Sequence, residues 1–333
     1  MIKTLSRASL EKIFNKAASK KIYIVGDVIL DRYFIGKVNR ISPEAPVQVF
    51  DIEETQYKLG GAANVCLNIN TLGSNPVLIG IIGDDNHGSV LESVLESQNI
   101  PLKGIIKESN RKTTCKTRVI ADAHHLIRLD SETKEDITKD SENRILELLN
   151  ENKNEIEVLI LQDYNKGVLT KGLIKKITDF ANKAGIKVLT DPKFENFFQY
   201  KSVFLFKPNK KEFEDAAGRK FRDLEDMIAN AHSLMKKIGC KNLLLTLGEN
   251  GMMIFENKNG KITQTSVKTK ARKVSDVSGA GDTVISTMAV SIAGGASVKD
   301  AAILSNQAAG IVVEESGIVP IQKDKLIEAM LEK

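Results

Sequence analysis

The chain has 333 residues, 42% hydrophobic and 27% charged, with 48 basic against 43 acidic side chains for a net charge of +5. These proportions exclude the disordered and fibrous classes. The mild basic excess suits small anionic substrates, and no Lys/Arg block interleaved with aromatics points to nucleic acid.

Residues 5–20 predict an amphipathic helix and not a signal core. No apolar run reaches the ~18 residues needed to span a bilayer, so no membrane partner is expected and the protein is read as cytoplasmic. Short apolar runs at 22–25, 77–82, 158–161, 187–189, 203–206 and 243–247 predict buried strands. Helical periods fall between them at 61–72, 84–98, 139–152, 170–184 and 223–238. This alternation predicts an α/β fold with a mainly parallel sheet covered on both faces.

Residues 46–59 and 113–129 are long, polar and β-prone. They predict a small sheet standing off the main domain as a lid, with strands near 33–59 and 113–129; an extra edge hairpin is the alternative. His124 and His125 are neighbours that a strand would point to opposite faces, a poor metal pair. Cys66, Cys115 and Cys240 are odd in number, far apart and without CxxC spacing, which argues against a disulfide framework or zinc site and for a reducing compartment. Without an internal repeat or linker, residues 1–333 read as one domain.

The stretch 274–295 (VSDVSGAGDTVISTMAVSIAGG) carries the chemistry. Val284, Ile285, Met288, Ala289, Ile292 and Ala293 form one helical stripe, with Gly279, Ala280 and Gly281 just before it. Small residues at a helix start let main-chain N–H groups approach an anion, which the helix dipole also favours. An acid at the same place is then there for a different purpose. Asp282 either accepts the proton of an attacking hydroxyl or simply caps the helix. A GxxxxGK[ST] loop, a GxGxxG after the first strand and an HRD…DFG set are all missing.

DVSGAGD (276–282) resembles the signature of the ribokinase-like (PfkB) carbohydrate kinases. Further segments follow in that family's order: VGDVILD (25–31), LGGAANV (59–65), KPNKKE (207–212), LTLGENG (245–251) and SNQAAG (305–310). Within the family the chain is most similar to heptose 7-phosphate kinases, which serve ADP-heptose and lipopolysaccharide core synthesis. That likeness rests on GDVILDRYFIGKVNRISPEAPV (26–47), KTRVIADAHHLIRLD (116–130), QDYNKGVLT (162–170) and TDPK (190–193). Many such kinases are fused to a nucleotidyltransferase; here the sequence stops at Lys333, so that activity is expected from another protein.

The resemblance implies a three-layer ribokinase-like sandwich with a β lid, and ATP with Mg²⁺ as phosphate donor. It implies Asp282 as base, an anion hole from Gly279, Ala280 and Gly281, and sugar contacts from Asp31, Gly60, Gly61 and Asn64, with Asp27 assisting. Asn209 and Glu212 would serve phosphates and water-bound Mg²⁺. Thr246, Gly248, Gly251 and Asn306 would serve the nucleotide, and Asp276 with the 313–317 backbone would take K⁺. A substrate phosphate needs a cation: Lys116, Arg118 and Arg128 are candidates, and Lys193 is favoured because it follows a buried strand. The exposed lid predicts a homodimer. The rivals are a kinase for another sugar or nucleoside, and a silent sugar or nucleotide sensor.

Overall fold

A computed structural model describes residues 5–122, 124–269, 275–315 and 317–332. Helix α1 (Arg7–Ala17) leads into β1 (Lys21–Gly26), after which the chain leaves the main layer as β2 (Val28–Ile41) and β3 (Gln48–Gly61). It returns through α2 (Ala62–Thr71), β4 (Asn75–Gly83), α3 (Asn86–Ser97) and β5 (Ile105–Glu108), then leaves again as β6 (Cys115–Ala121) and β7 (His124–Ser131). The second half runs α4 (Lys139–Glu151), β8 (Ile156–Gln162), α5 (Lys171–Ala184), β9 (Lys187–Asp191), β10 (Leu205–Phe206), α6 (Lys210–Ala217) and α7 (Leu224–Ile238). It finishes with β11 (Asn242–Thr246), β12 (Met252–Lys258), β13 (Lys261–Val267), α8 (Ala280–Ala293), α9 (Val298–Val312) and α10 (Lys323–Leu331).

The main sheet has nine strands in the order β13-β12-β11-β10-β9-β8-β1-β4-β5. It is parallel from β5 to β11 and antiparallel only at the β11–β12–β13 edge. Its strands are apolar throughout because successive side chains enter opposite cores. Ile22 and Ile24 of β1 pack with α1, α2, α8, α9 and α10, whereas Tyr23 and Val25 pack with α4, α5 and α7. The five helices predicted at 61–72, 84–98, 139–152, 170–184 and 223–238 all form, within two residues of those ends. The strand expected at 203–206 shortens to two residues. The β12–β13 hairpin, not anticipated, turns at Asn259 and Gly260 with positive φ of 53° and 86°, the pair a tight hairpin turn favours.

The two polar segments form a separate four-stranded sheet, β3-β2-β6-β7, in which only β2 and β6 are parallel. It begins directly after β1, so it is longer than the predicted 33–59. Ala123, at its β6–β7 turn, lies outside the described residues. One face carries Asp31, Tyr33, Lys58, Lys116 and Arg118, and Lys58 Nζ donates to Ile318 O at 3.2 Å. That face therefore looks onto the main domain. The opposite face presents Tyr57, Ile127 and Leu129 to solvent, the last two about half exposed at 54% and 49%.

Candidate active site

Helix α8 begins where Gly279 adopts φ 79°, a left-handed conformation that glycine alone takes without strain. Asp282 is thereby set in the first turn, buried at 3% exposure. Three donors hold its carboxylate: Asn64 Nδ2 on Oδ2 at 2.8 Å, and Gln162 Nε2 and Tyr164 Oη on Oδ1 at 3.0 and 2.7 Å. With two donors on Oδ1 and one on Oδ2, the open lone pair is on Oδ2. Burial pushes the Asp282 carboxyl up to about 6, while the Asn64 and Tyr164 hydrogen bonds pull the other way. At pH 7 it is still about nine-tenths ionised. Tyr164 remains a donor because burial and the neighbouring Asp282 charge hold its phenol well above the usual range.

The amides of Gly281 and Asp282 have no intrahelical acceptor, as in any first helical turn. The expected contribution of Ala280 differs, because its N–H donates to Val277 O at 3.2 Å. Beneath this turn Lys207 Nζ lies 2.9 Å from Asp191 Oδ2, both side chains buried. A Cβ on Gly281 would sit 3.6 Å from that ammonium, so the cation backs the same turn.

On one side of α8 a cavity of about 550 Å³ gathers Asn209, Thr246, Gly248, Gly251, Ala280, Gly281 and Asn306, all predicted for nucleotide or phosphate. Met252, Val284, Ala309 and Val313 add apolar walls suited to a flat base. Asn306 also donates to Lys268 O at 2.8 Å, which pins the cavity rim. Asn209 and Glu212 form a reciprocal capping box at the start of α6, with two 2.8 Å bonds. The other Glu212 oxygen accepts from Lys193. Both Glu212 oxygens are thus engaged within the protein.

Lys193, expected at a substrate phosphate, pairs here with Glu212 and sits 5.4 Å from the Tyr164 ring centre, near Asp282. Asp27 makes contacts within the protein: its oxygens accept from the backbone N–H groups of Tyr164, Lys166 and Val168 at 2.7, 3.1 and 3.2 Å. It thereby clamps the loop that presents Tyr164.

On the lid side Asp31 is buried and paired with Arg118. Gly60 faces it so closely that a Cβ there would lie 2.2 Å from Asp31 Oδ2. Gly61, at φ 58°, lies against Asp27 O, where a Cβ would come within 2.4 Å. The two glycines thus make room for β2 in the first instance. Asp276 accepts from the N–H groups of Ser278 and Gly317; Ser316 of the predicted K⁺ loop lies outside the described residues. Sequence reasoning assigns no role to Gln162, Tyr164, Asp191 or Lys207. Their one shared signal is a polar side chain at, or just past, the C-terminal end of an otherwise apolar strand.

A family model described as pfkB family carbohydrate kinase matches residues 19–324. The bifunctional protein HldE of Pelobacter propionicus is 36% identical over 326 residues, covering 98% of this chain and 66% of that protein. HldE of Aliarcobacter butzleri is 39% identical over 312 residues, covering 93% and 64%. The chain thus spans about two-thirds of the length of these relatives. Among solved structures, phosphofructokinase-2 from Escherichia coli in complex with potassium superposes with a TM-score of 0.76 at 20% identity, covering 94% of this chain and 98% of that one. Arabidopsis thaliana ribokinase complexed with ribose and ATP gives 0.73 at 19%, covering 95% and 100%. At such identities the structures speak to the fold.

Proposed function

The chain belongs to the pfkB family of carbohydrate kinases, and on that premise we propose that it transfers the γ-phosphoryl group of ATP to O1 of D-glycero-β-D-manno-heptose 7-phosphate. The family and the ribokinase-like fold make it a phosphotransferase acting on a sugar hydroxyl. The heptose phosphate reading is supported by the similarity to HldE and by the residues of 26–47 and 116–130.

The observation that carries the kinase chemistry is Asp282, held by three donors between the nucleotide-type cavity and the lid. The sugar O1 attacks the γ-phosphorus as the bond to the β-phosphate oxygen breaks, and ADP leaves. The O1 proton passes to Asp282 Oδ2, the oxygen with a lone pair to spare. The Gly281 and Asp282 amides, backed by Lys207 and Lys193, stabilise the charge on the moving phosphoryl group. Asn209 and Glu212, here engaged with each other and with Lys193, would hold Mg²⁺–ATP through water, and the metal would neutralise phosphate charge. Asp276, with the backbone of the loop that follows α9, would hold K⁺. Asp31 receives sugar hydroxyls, and lid closure excludes water from the transfer.

We place the protein in the cytoplasm; among the described residues no helix is long and apolar enough to cross a membrane. The outer lid face, with Ile52, Tyr57, Ile127 and Leu129 exposed, fits a homodimer made lid to lid. The deciding experiment is ADP release with Mg²⁺–ATP and a panel of pentoses, hexoses and heptoses, each with and without a terminal phosphate. Equal or better turnover of an unphosphorylated sugar would displace the heptose phosphate reading, and no turnover of any sugar would displace the kinase reading.

A further inference from the structure

Helix α2 carries Asn64 and Asn68 one turn apart on the same face. Asn68 is fully buried, and all four hydrogen-bonding positions of its amide are used. Its Nδ2 donates to Asn64 O at 2.8 Å and to Asn64 Oδ1 at 3.1 Å. Its Oδ1 accepts from the Ile321 N–H at 3.0 Å and from Thr283 Oγ1 at 3.3 Å. The Asn64 carbonyl and the Ile321 N–H belong to the main chain, where a carbonyl only accepts and an N–H only donates. Together they fix which way round the Asn68 amide lies. Ile321 is held in turn, because Thr71 Oγ1 of the same helix donates to its carbonyl at 2.7 Å.

This polarity passes outward to the next amide. With Asn68 Nδ2 on its Oδ1, Asn64 turns Nδ2 toward Asp282 Oδ2, 2.8 Å away. That direction suits only one charge state of Asp282. A carboxylate accepts from the amide, whereas a protonated carboxyl needs an acceptor. An unrestrained Asn64 could supply one by rotating half a turn about its last torsion. Asn68 forbids the rotation, because two NH₂ groups would then face each other. The other titratable groups around Asp282 are Tyr164, Asp191, Lys193 and Lys207. Among the described residues, none of them hydrogen-bonds to Asn68. Resting on the reading of Asp282 as proton acceptor, we propose that Asn68 is a positioning residue for the transfer. It locks Asn64 as a donor and so withholds from Asp282 the hydrogen bond that would stabilise its protonated, inactive form.

The test is the pH profile of kcat/KM between about pH 5 and pH 9, with saturating Mg²⁺–ATP and the preferred sugar of the panel above limiting. It compares wild type, Asn68→Ala, Asn68→Thr, Asn64→Ala and the double variant Asn64→Ala/Asn68→Ala. A hydrogen bond gained by the protonated carboxyl raises the acid limb of both Asn68 variants by about half to one pH unit, with the plateau at high pH kept. Asn68→Thr leaves a hydroxyl for the Ile321 N–H, so it reads the same shift should Asn68→Ala fail to fold. The double variant coincides with Asn64→Ala, since Asn68 acts only through Asn64. A purely structural asparagine would lower the rate by one factor at every pH and add its loss to that of Asn64→Ala. That result, or an unmoved limb, overturns this inference alone. A wild type without an acid limb overturns the reading of Asp282 as proton acceptor, and the inference with it.

Discussion

Replacing Tyr164 by Phe removes one oxygen and almost no volume, so it isolates the bond to Asp282. In the wild type, burial raises the Asp282 carboxyl to about 6, and the Tyr164 hydroxyl, at 2.7 Å, is one of the interactions that restrain the rise. A hydrogen bond to a charged group contributes about 1.5–3 kcal/mol, and each pH unit corresponds to about 1.4 kcal/mol. Loss of the donor therefore moves the acid limb of the kcat/KM profile up by roughly one to two pH units. At pH 7 the ionised fraction falls from about nine-tenths to between about one-half and one-tenth. Most of the lost activity returns by pH 9. The assay is ADP release from pH 5 to 9 with saturating Mg²⁺–ATP and limiting sugar phosphate. An acid limb that stays where it is in Tyr164→Phe, or a loss of the same factor at every pH, refutes the coupling.

Asp282→Asn should lower kcat by roughly 10²–10⁴, the range for a lost general base, with the circular dichroism spectrum retained. The same variant should show a pH-dependent change in stability. A carboxyl raised from 3.8 to about 6 binds its proton more tightly folded than unfolded, so ionisation weakens the fold as pH climbs from about 4 to about 6. Removing it should improve the variant's stability relative to wild type by up to about 3 kcal/mol between pH 4 and 7; parallel urea midpoints at both pH values would contradict this. Asp27→Ala strands three amides and should destabilise by about 2–4 kcal/mol, with the exchange protection of Tyr164, Lys166 and Val168 amides lost first in hydrogen-exchange mass spectrometry. Gly60→Ala drives a methyl into the space of Asp31 Oδ2, 2.2 Å away, and should cost about 1–3 kcal/mol while raising the sugar KM more than the ATP KM. Equal changes in both constants would argue against Asp31 as a sugar contact.

The strands of the main sheet are legible in the sequence because both their faces are buried, so apolar runs such as 158–161 and 243–247 stand out against amphipathic helices. The segment 276–282 is legible because an acid following two glycines and an alanine at a helix start is a conspicuous arrangement. The partners of Asp282 are not. Gln162, Tyr164, Asp191 and Lys207 reach the site from the ends of β8, β9 and β10, and only the parallel strand order brings them together. Lys193 shows the complementary limit: sequence displays a positive charge but not the carboxylate that engages it. Asp27 and Asp31 are four residues apart in one motif, yet only three-dimensional contacts distinguish a loop clamp from an acceptor set against an arginine.

Strand β3 passes into α2 without a connecting loop, and Asn64 lies three residues beyond Gly61. The last residues of the lid strand and the amide that donates to Asp282 Oδ2 are thus joined by three residues of chain, so a displacement of β3 is transmitted to Asn64 over the shortest possible path. On the proposed kinase reading, acceptor occupancy under the lid would be passed along this connection to the proton acceptor, and an empty acceptor site would leave ATP unspent.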